Sequence, residues 1–151
     1  MIKFAVETFE DVIQEIRPLL ARHWQEIAWY KDKVPYAPDW ERYKQVAEAG
    51  VLHIVTARKD GELVGYLVSM ISPGMHYKLT NYAVNDIIYL HPDHRGGRTA
   101  FRMFKFAIEE FKKMGVSIFT VHMKTDAPFE RLCEALGMQK QEFLYTIYLG
   151  E

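Results

Sequence analysis

Hydrophobic positions recur along the chain with two spacings, one typical of amphipathic helices and one typical of strands. After a short β-rich run at residues 2–6, apolar side chains from Phe9 to Trp24 recur at steps of three and four, which predicts a helix with one buried face. Pro18 lies inside this pattern. Because proline removes a helical hydrogen-bond donor and clashes with the preceding turn, we expect a kink or a break near Arg17 that leaves two helical pieces.

Two runs rich in β-branched and aromatic residues, at residues 51–58 and 62–71, are separated by Asp60-Gly61, a dipeptide typical of a tight hairpin turn. The other predicted elements are a loop at 29–38, helices at 39–49, 98–114 and 128–136, a turn at Pro73-Gly74, and strands at 83–90, 117–123 and 142–149. The resulting order is β, α, α, β, β, β, α, β, α, β. It predicts an α/β protein with a mixed sheet and helices packed on both of its faces.

Composition narrows the classes of function. The 151 residues are 49% hydrophobic and no repeat or linker divides them, so we expect one domain over residues 1–151. The formal net charge of −1 gives no field that would attract nucleic acid or an anionic membrane, and we expect neither as a partner. The single cysteine, Cys133, allows no internal disulfide. Acidic residues near the N-terminus and the lack of a long apolar run argue against a secretory peptide and a membrane span, so we expect a cytoplasmic protein.

The most informative stretch for function runs from Asp86 through a proline-bearing turn to Gly96-Gly97 and into the helix that follows. The first amides of a helix are unpaired and favour an anion, and glycines let the backbone approach it closely. Arg95 and Arg98 add charged donors beside the loop. The pattern therefore predicts a phosphate site, with an ordinary strand-to-helix turn and solvated arginines as the alternative. Neither of the two common nucleotide phosphate loops is present.

The run from Tyr89 to Gly97, with the sequence YLHPDHRGG, resembles the acetyl-CoA signature of the GNAT superfamily of N-acetyltransferases. The resemblance implies a central mixed sheet flanked by helices, and an acyltransferase that moves an acetyl group from acetyl-CoA directly to a primary amine in a ternary complex, without a metal. The amine would belong to a small molecule or to a peptide or protein. The cofactor-binding residues implied are Ile88, Tyr89, Leu90, Arg95, Gly96, Gly97, Arg98, Thr99 and Ala100.

These residues would have two tasks in the family. The fourth strand splays from its neighbour and offers backbone groups near Ile88 and Leu90 to the pantetheine arm, and the loop amides bind the pyrophosphate. Arg95 and Ala100 fill the first and last positions of the loop motif, whereas Arg98 stands where a glycine is usual. The side chain at position 98 would therefore either crowd the pyrophosphate or pair with it.

Asp86 is the predicted catalytic base. It is the only ionised side chain in the apolar run at 83–90, which is a costly place for a carboxylate unless it is used or paired. Alternation along a strand would put Asp86 on one face with Ile88 and Leu90, and partial burial would make it a stronger base. An acidic residue on this strand is common in the family. The alternative is an aspartate that pairs with a nearby Lys or Arg or accepts hydrogen bonds from a loop.

Two residues are candidates for the general acid that protonates the departing sulfur. Cys133 stands where the family usually has a tyrosine, in a motif of which only Gly137 matches cleanly, and Tyr145 on the predicted last strand is a second donor. The alternative for Cys133 is core packing. Because Arg98 and Cys133 both depart from the family pattern, a module that holds CoA or acyl-CoA as a sensor or scaffold without turnover is the second hypothesis for function.

Aromatic residues are concentrated in the first two predicted helices and the loop between them. They are Trp24, Trp29, Tyr30, Tyr36, Trp40 and Tyr43. In the family this region closes over the acceptor, so part of the group would line the acceptor pocket or seat an amine by cation–π contact. Core packing and a homodimer contact are the alternatives. His91, Asp93 and His94 lie close together but have no partner cluster, which argues against a metal site.

Overall fold

The computed structural model describes residues 1–151, and its elements follow the predicted order up to the last strand. The strands are β1 (Ile2–Val6), β2 (Leu52–Lys59), β3 (Glu62–Gly74), β4 (Tyr77–Leu90) and β5 (Val116–Thr120); the helices are α1 (Phe9–Ile27), α2 (Trp40–Glu48), α3 (Thr99–Lys113) and α4 (Glu130–Ala135). A single 3₁₀ turn at Pro92–His94 joins β4 to α3. The predicted α/β class is confirmed.

The five strands form one mixed sheet in the order β1-β2-β3-β4-β5. The first four strands are antiparallel neighbours, and β5 runs parallel to β4. Asp60 and Gly61 join β2 to β3 with φ of 51° and 87°, the left-handed values that a tight hairpin turn requires. The turn expected at Pro73-Gly74 lies two residues later, because β3 and β4 continue their pairing to Gly74 and Tyr77.

Helices cover both faces of the sheet, as predicted. On one face, buried side chains of α1, among them Val12 and Ile16, pack with Tyr66 of β3. On the other face, Ala107 of α3 packs with Leu67 of β3. Successive residues of β3 thus enter different cores, which is the period-two pattern of a strand buried on both sides.

Helix α1 is continuous through Pro18, so the expected division into two pieces near Arg17 is wrong. Pro18 and Gln14, the residue four positions earlier whose carbonyl loses its donor, are both exposed, and water can bond that carbonyl. Buried residues before and after the proline, such as Ile16 and Leu20, hold both halves on the same sheet. None of the helices has the length and apolar content needed to cross a membrane.

The strand expected at residues 142–149 is not formed, and that prediction is wrong. No residue after Gly137 has regular secondary structure. The segment leaves five apolar side chains more than three-quarters exposed, namely Phe143, Leu144, Tyr145, Ile147 and Leu149. Its aromatic contact is instead Tyr148, whose ring lies 5.6 Å from that of Tyr30. A β-rich pattern forms a strand only when a neighbouring strand accepts its hydrogen bonds, and β5 does not pair with this segment.

Candidate active site

The N-terminus of α3 is open and follows a glycine pair. Gly96 and Gly97 have φ of +94° and +57°, in the left-handed region that glycine enters without strain. A Cβ atom at either position would meet nothing within 4 Å, so backbone conformation rather than crowding favours glycine there. Arg98 is the N-cap residue but its side chain does not cap the helix, and the first turn carries no acidic residue. The first amides of α3 therefore have no partner within the chain and are free to bind an anion.

The two arginines beside this loop lie in different directions. The Arg95 Nε atom donates to the Leu90 carbonyl at 2.6 Å, and its Nη2 atom lies 2.7 Å from Glu26 Oε2. Arg95 thus ties the loop to the end of β4 and to α1. The Arg98 guanidinium lies over the ring of Phe101, 5.6 Å from the ring centre, and is exposed.

An open edge of β4 leads into this loop. Parallel pairing between β4 and β5 ends at Val84 and Thr120. From Asn85 to Leu90, β4 continues with β3 on one side only, and the side chain of Asn85 bonds to the backbone of His122 where the strands separate. This is the splayed strand that the family resemblance implied.

The remaining predicted cofactor residues are divided between β4 and α3. Ile88, Tyr89 and Leu90 are the last three residues of β4. The side chains of Tyr89 and Leu90 are buried, so only their backbone groups can contact a ligand at this edge. Thr99 and Ala100 are the first two residues of α3 and are half-buried.

Asp86 occupies a β-bulge. Ile87 lies opposite Val68 of β3, whereas Asn85 lies opposite Ser69, the next residue of β3. Asp86 is therefore the extra residue, with no partner of its own in the ladder. A bulge changes the direction in which nearby side chains point, and this bulge changes the face of the sheet on which Asp86 lies.

The prediction that Asp86 shares a face with Ile88 is wrong. Ile88 packs against the core under α3, whereas Asp86 accepts a hydrogen bond from Tyr43 of α2, on the opposite side of the sheet. The inserted residue interrupts the alternation on which the prediction depended. Asp86 is also exposed, whereas the sequence predicted partial burial.

Tyr43 is the functional candidate that strand patterning alone did not identify. Its hydroxyl donates to Asp86 Oδ2, and Oδ1 accepts no hydrogen bond. Burial, and secondarily the bond to Asp86, raises the pKa of the Tyr43 phenol far above its ordinary value, so the phenol stays protonated at neutral pH. The partner of Asp86 is thus a neutral donor, and no Lys or Arg forms an ion pair with it. The signal available in the sequence was the spacing of Trp40 and Tyr43 on one face of α2.

A cavity of about 450 Å³ lies between α1, the α1–α2 loop and β4. Its walls include Leu20, His23, Trp24, Tyr36, Tyr43 and Ile87. Ile87 adjoins Asp86 in the chain, and Tyr43 bonds to it, so one end of the cavity lies beside the candidate base. A volume of this size is within the range of small-molecule sites.

The six aromatic candidates separate into two groups. Trp24, Tyr36 and Tyr43 line the cavity. The other three make contacts elsewhere: Trp40 packs against the α1 core, Tyr30 lies against Tyr148, and Trp29 donates from Nε1 to Asp126 Oδ1 at 3.1 Å. Part of the aromatic group therefore lines a pocket and part serves packing, which are two of the uses that the sequence left open.

The two candidate general acids lie on different parts of the chain. Cys133 is on α4 and is half-buried, and burial followed by the charges of Glu130 and Glu134 raises the pKa of its thiol. A raised pKa keeps the thiol protonated, the form that an acid needs. Tyr145 is 91% exposed in the C-terminal segment without strand structure. No hydrogen bond joins either residue to Asp86.

The histidines after β4 have other partners. The rings of His91 and His94 lie 5.9 Å apart, and Arg22 Nη1 lies 2.9 Å from His91 Nε2. The positive charge of the Arg22 guanidinium beside His91 would repel a metal ion. No group of three His, Cys, Asp or Glu side chains is arranged to hold a metal ion.

A protein-family model described as "Acetyltransferase (GNAT) family" matches residues 13–138, which is most of the chain. The chain belongs to the GNAT acetyltransferase family. The match includes α2, the whole of β4, the glycine loop and α4, and the predicted enzyme class, an acyltransferase, is confirmed. No curated protein sequence is significantly similar to this GNAT chain.

Solved structures share the fold at low sequence identity. The ribosomal-protein-alanine N-acetyltransferase of Brucella melitensis biovar Abortus 2308 is 22% identical with a TM-score of 0.72, covering 99% of this chain and 100% of its own. The glucosamine-6-phosphate N-acetyltransferase of Arabidopsis thaliana is 14% identical with a TM-score of 0.73, covering 99% of both chains. A predicted acetyltransferase of Clostridium acetobutylicum, solved with acetyl-CoA, is 12% identical with a TM-score of 0.73, covering 99% of this chain and 97% of its own. These similarities establish the fold of this GNAT protein and leave its acceptor open.

Proposed function

We propose that the protein is an acetyl-CoA-dependent N-acetyltransferase that transfers the acetyl group directly to a primary amine in a ternary complex. The observation that carries this proposal is the continuous path from the open edge of β4 to the glycine loop and the uncapped start of α3. A thioester on a long arm that ends in a pyrophosphate fits such a path. The strand edge would hold the amide-bearing arm, and the helix N-terminus would hold the anion.

In the proposed complex the pyrophosphate is bound by the backbone from Gly96 to Ala100. The glycines allow close approach, and the helix dipole favours negative charge. Arg95 contributes by fixing the loop against Leu90 and Glu26, as well as by its charge. The backbone near Ile88 and Leu90 lies along the arm.

Asp86 is proposed to accept the proton of the acceptor amine. A primary amine has a pKa of about 10.4 and is protonated at neutral pH, so it must lose a proton before its nitrogen can attack. Tyr43 occupies one carboxylate oxygen of Asp86 and leaves the other for the amine or for a bridging water. The cavity lined by Trp24 and Tyr36 would hold the rest of the acceptor.

Once deprotonated, the amine nitrogen forms a bond to the thioester carbonyl carbon, and the carbon–sulfur bond breaks. A backbone amide near Leu90 would stabilise the carbonyl oxygen as it gains charge. The departing sulfur takes a proton from an acid or from water. Cys133 is the proposed acid, because its half-buried thiol is protonated, whereas Tyr145 lies in the exposed C-terminal segment.

The test is amine-dependent release of free thiol from acetyl-CoA, with the acetylated amine identified by mass spectrometry. Wild-type protein is compared with Asp86→Asn, and CoA binding is followed for both by thermal stabilisation. We expect thiol release that requires an amine and that falls sharply in the variant, with CoA stabilisation unchanged. Stabilisation by CoA without turnover of any amine would instead identify a binding module.

A further inference from the structure

Few charged side chains line the cavity beside Asp86. Among its thirteen lining residues only Asp39 and Lys124 are charged, one of each sign. The Asp39 carboxylate already serves α2 as its N-cap, since Oδ1 accepts from the Arg42 amide at 2.9 Å. A ligand with several ammonium groups would therefore lose its hydration without finding carboxylate partners, and Lys124 would repel it.

The walls of the cavity are mostly apolar. The rings of Trp24 and Tyr36 lie 5.5 Å apart at a tilted angle, and the prolines at 35 and 38 stiffen the loop that closes this side. Such surfaces fit a ring or a compact hydrocarbon body by shape and apolar contact. Ile87 and Tyr43 form the end of the cavity beside Asp86, where the reacting nitrogen would lie.

His23 is a polar exception in this apolar wall. It is 6% exposed, its Nδ1 atom is buried without a hydrogen-bond partner, and no side chain or backbone group of the chain bonds to its ring. Burial lowers its pKa to about 4, so the imidazole is neutral at pH 7 and offers one donor and one acceptor. His23 lines the cavity, and its Nε2 atom, which is neither bonded within the chain nor fully buried, is the ring nitrogen that a ligand there can reach.

We propose, building on the function proposed above, that the acceptor is a compact monoamine whose ring-bearing apolar body carries a hydroxyl group that pairs with His23. The amine would lie at the Asp86 end and the body between Trp24 and Tyr36. Polyamines and aminoglycosides would be poor acceptors, because the one carboxylate that lines the cavity, Asp39, already caps α2 and cannot pair with their additional charges.

The experiment compares kcat/KM for four amines: tyramine, phenethylamine, spermidine and neamine. Tyramine and phenethylamine differ only in the hydroxyl, and the other two are polycations. We expect tyramine to exceed phenethylamine by about tenfold, the usual effect of one hydrogen bond, and both to exceed the polycations. In His23→Phe the ratio of kcat/KM for tyramine to that for phenethylamine should fall to about one.

The matched control is His53→Phe. His53 is also buried with an unpartnered Nδ1 atom, but its ring packs 5.0 Å from Phe111 in the core under α3, on the other face of the sheet. Its replacement should leave the ratio of tyramine to phenethylamine unchanged. If His23→Phe does not fold, the wild-type ratio of the two monoamines alone decides the role of the hydroxyl.

Each contrary result has its own meaning. Spermidine or neamine as the preferred acceptor would overturn this inference and leave the acetyltransferase function standing. Equal kcat/KM for tyramine and phenethylamine in the wild type would remove His23 from acceptor recognition. Absence of thiol release with every amine tested, while CoA still stabilises the protein, would overturn the proposed function itself.

Discussion

The side-chain amide of Asn85 bonds to both backbone groups of His122. Its Oδ1 atom accepts from the His122 N–H at 2.6 Å, and its Nδ2 atom donates to the His122 carbonyl at 3.2 Å. Asn85 is the first residue of β4 beyond the last pair with β5. The Asn85 side chain therefore replaces the backbone hydrogen bonds of the β4–β5 pair at the point where the two strands separate. It fixes the position at which the edge of β4 becomes open.

Replacing Asn85 by Ala should loosen this junction. We expect a loss of about 1–2 kcal/mol in the free energy of unfolding, measured by urea denaturation, because two hydrogen bonds are removed at a partly exposed site. The KM for acetyl-CoA should rise, since the strand edge is less well fixed. The control is Asn81→Ala, at a position where β4 and β5 are still paired. Equal effects of the two variants would contradict a special role for Asn85.

Asp86→Asn should lower kcat by about 10² or more while leaving the affinity for CoA unchanged. The amide has the shape of the carboxylate and can still bond to Tyr43, but it cannot accept a proton from the amine. The measurement is the pH profile of turnover for both proteins. Asp32→Asn, in an exposed loop, provides a matched loss of one carboxylate. A variant with wild-type turnover across the acid limb would remove Asp86 from the mechanism.

Tyr43→Phe isolates the bond to Asp86 from the packing of the ring. The phenylalanine can keep the contact with the Phe9 ring, whose centre lies 6.3 Å from that of Tyr43, and loses only the hydroxyl. A hydrogen bond to a charged group contributes about 1.5–3 kcal/mol, so we expect kcat to fall roughly tenfold or more. The loss should be small in the Asp86→Asn background, since the two residues act as a pair. Additive losses in the double variant would show that Tyr43 acts elsewhere.

Local signals were sufficient for much of this fold. The dipeptide Asp60-Gly61 and the glycine that ends α3, Gly115, adopt the positive φ that their positions require, and such preferences do not depend on distant residues. The glycine loop before α3 was predicted for the same reason. Its chemistry depends on a strand, a turn and a helix that are neighbours in the chain.

Other features depend on contacts between distant segments. The bulge at Asp86 is visible only in the register of β4 against β3, and Tyr43 meets Asp86 across 43 positions of the chain. Pro18 was expected to break α1, because hydrophobic periodicity does not show whether the carbonyl that loses its hydrogen bond is exposed to water. The C-terminal segment has a strand-like pattern, but a strand also needs a paired neighbour.

Stability at low pH should depend on Arg58, which bonds to both Glu7 and Glu15 and joins β2 to the start of α1. Hydrogen bonds from Arg58 hold the pKa of both carboxyls below the usual 4.5. A lowered pKa stabilises the folded state at pH values above the unfolded value, and this stabilisation is lost as pH falls through the folded value. Urea denaturation should therefore show a gap between wild type and Arg58→Met at pH 7, about 1–2 kcal/mol after allowance for solvent screening, that narrows below about pH 5.

The control for this prediction is Lys113→Met. Lys113 pairs with Glu110 on an exposed face of α3, where an ion pair contributes little. Its replacement should leave the free energy of unfolding nearly unchanged at every pH. A gap for Arg58→Met that stays constant from pH 7 to pH 3 would show that packing, rather than the carboxyl pairs, is responsible.

The two arginines of the glycine loop should differ in their effect on CoA. Arg95→Ala removes the bonds to the Leu90 carbonyl and to Glu26 that fix the loop, together with a positive charge, and should weaken CoA binding by about 1–3 kcal/mol. Arg98→Gly removes a side chain that rests on Phe101, so the dissociation constant should change by less than about threefold, the size of a helix N-terminal effect. Isothermal titration with CoA at low and high salt measures both dissociation constants.

Glu26→Gln separates the two contributions of Arg95, because it breaks the ion pair and keeps the positive charge of Arg95. Weaker CoA binding in Glu26→Gln would assign the effect to loop positioning, and unchanged binding would assign it to the charge. An unchanged dissociation constant in Arg95→Ala would remove that residue from the CoA site, and tighter binding in Arg98→Gly would show that its side chain obstructs the pyrophosphate.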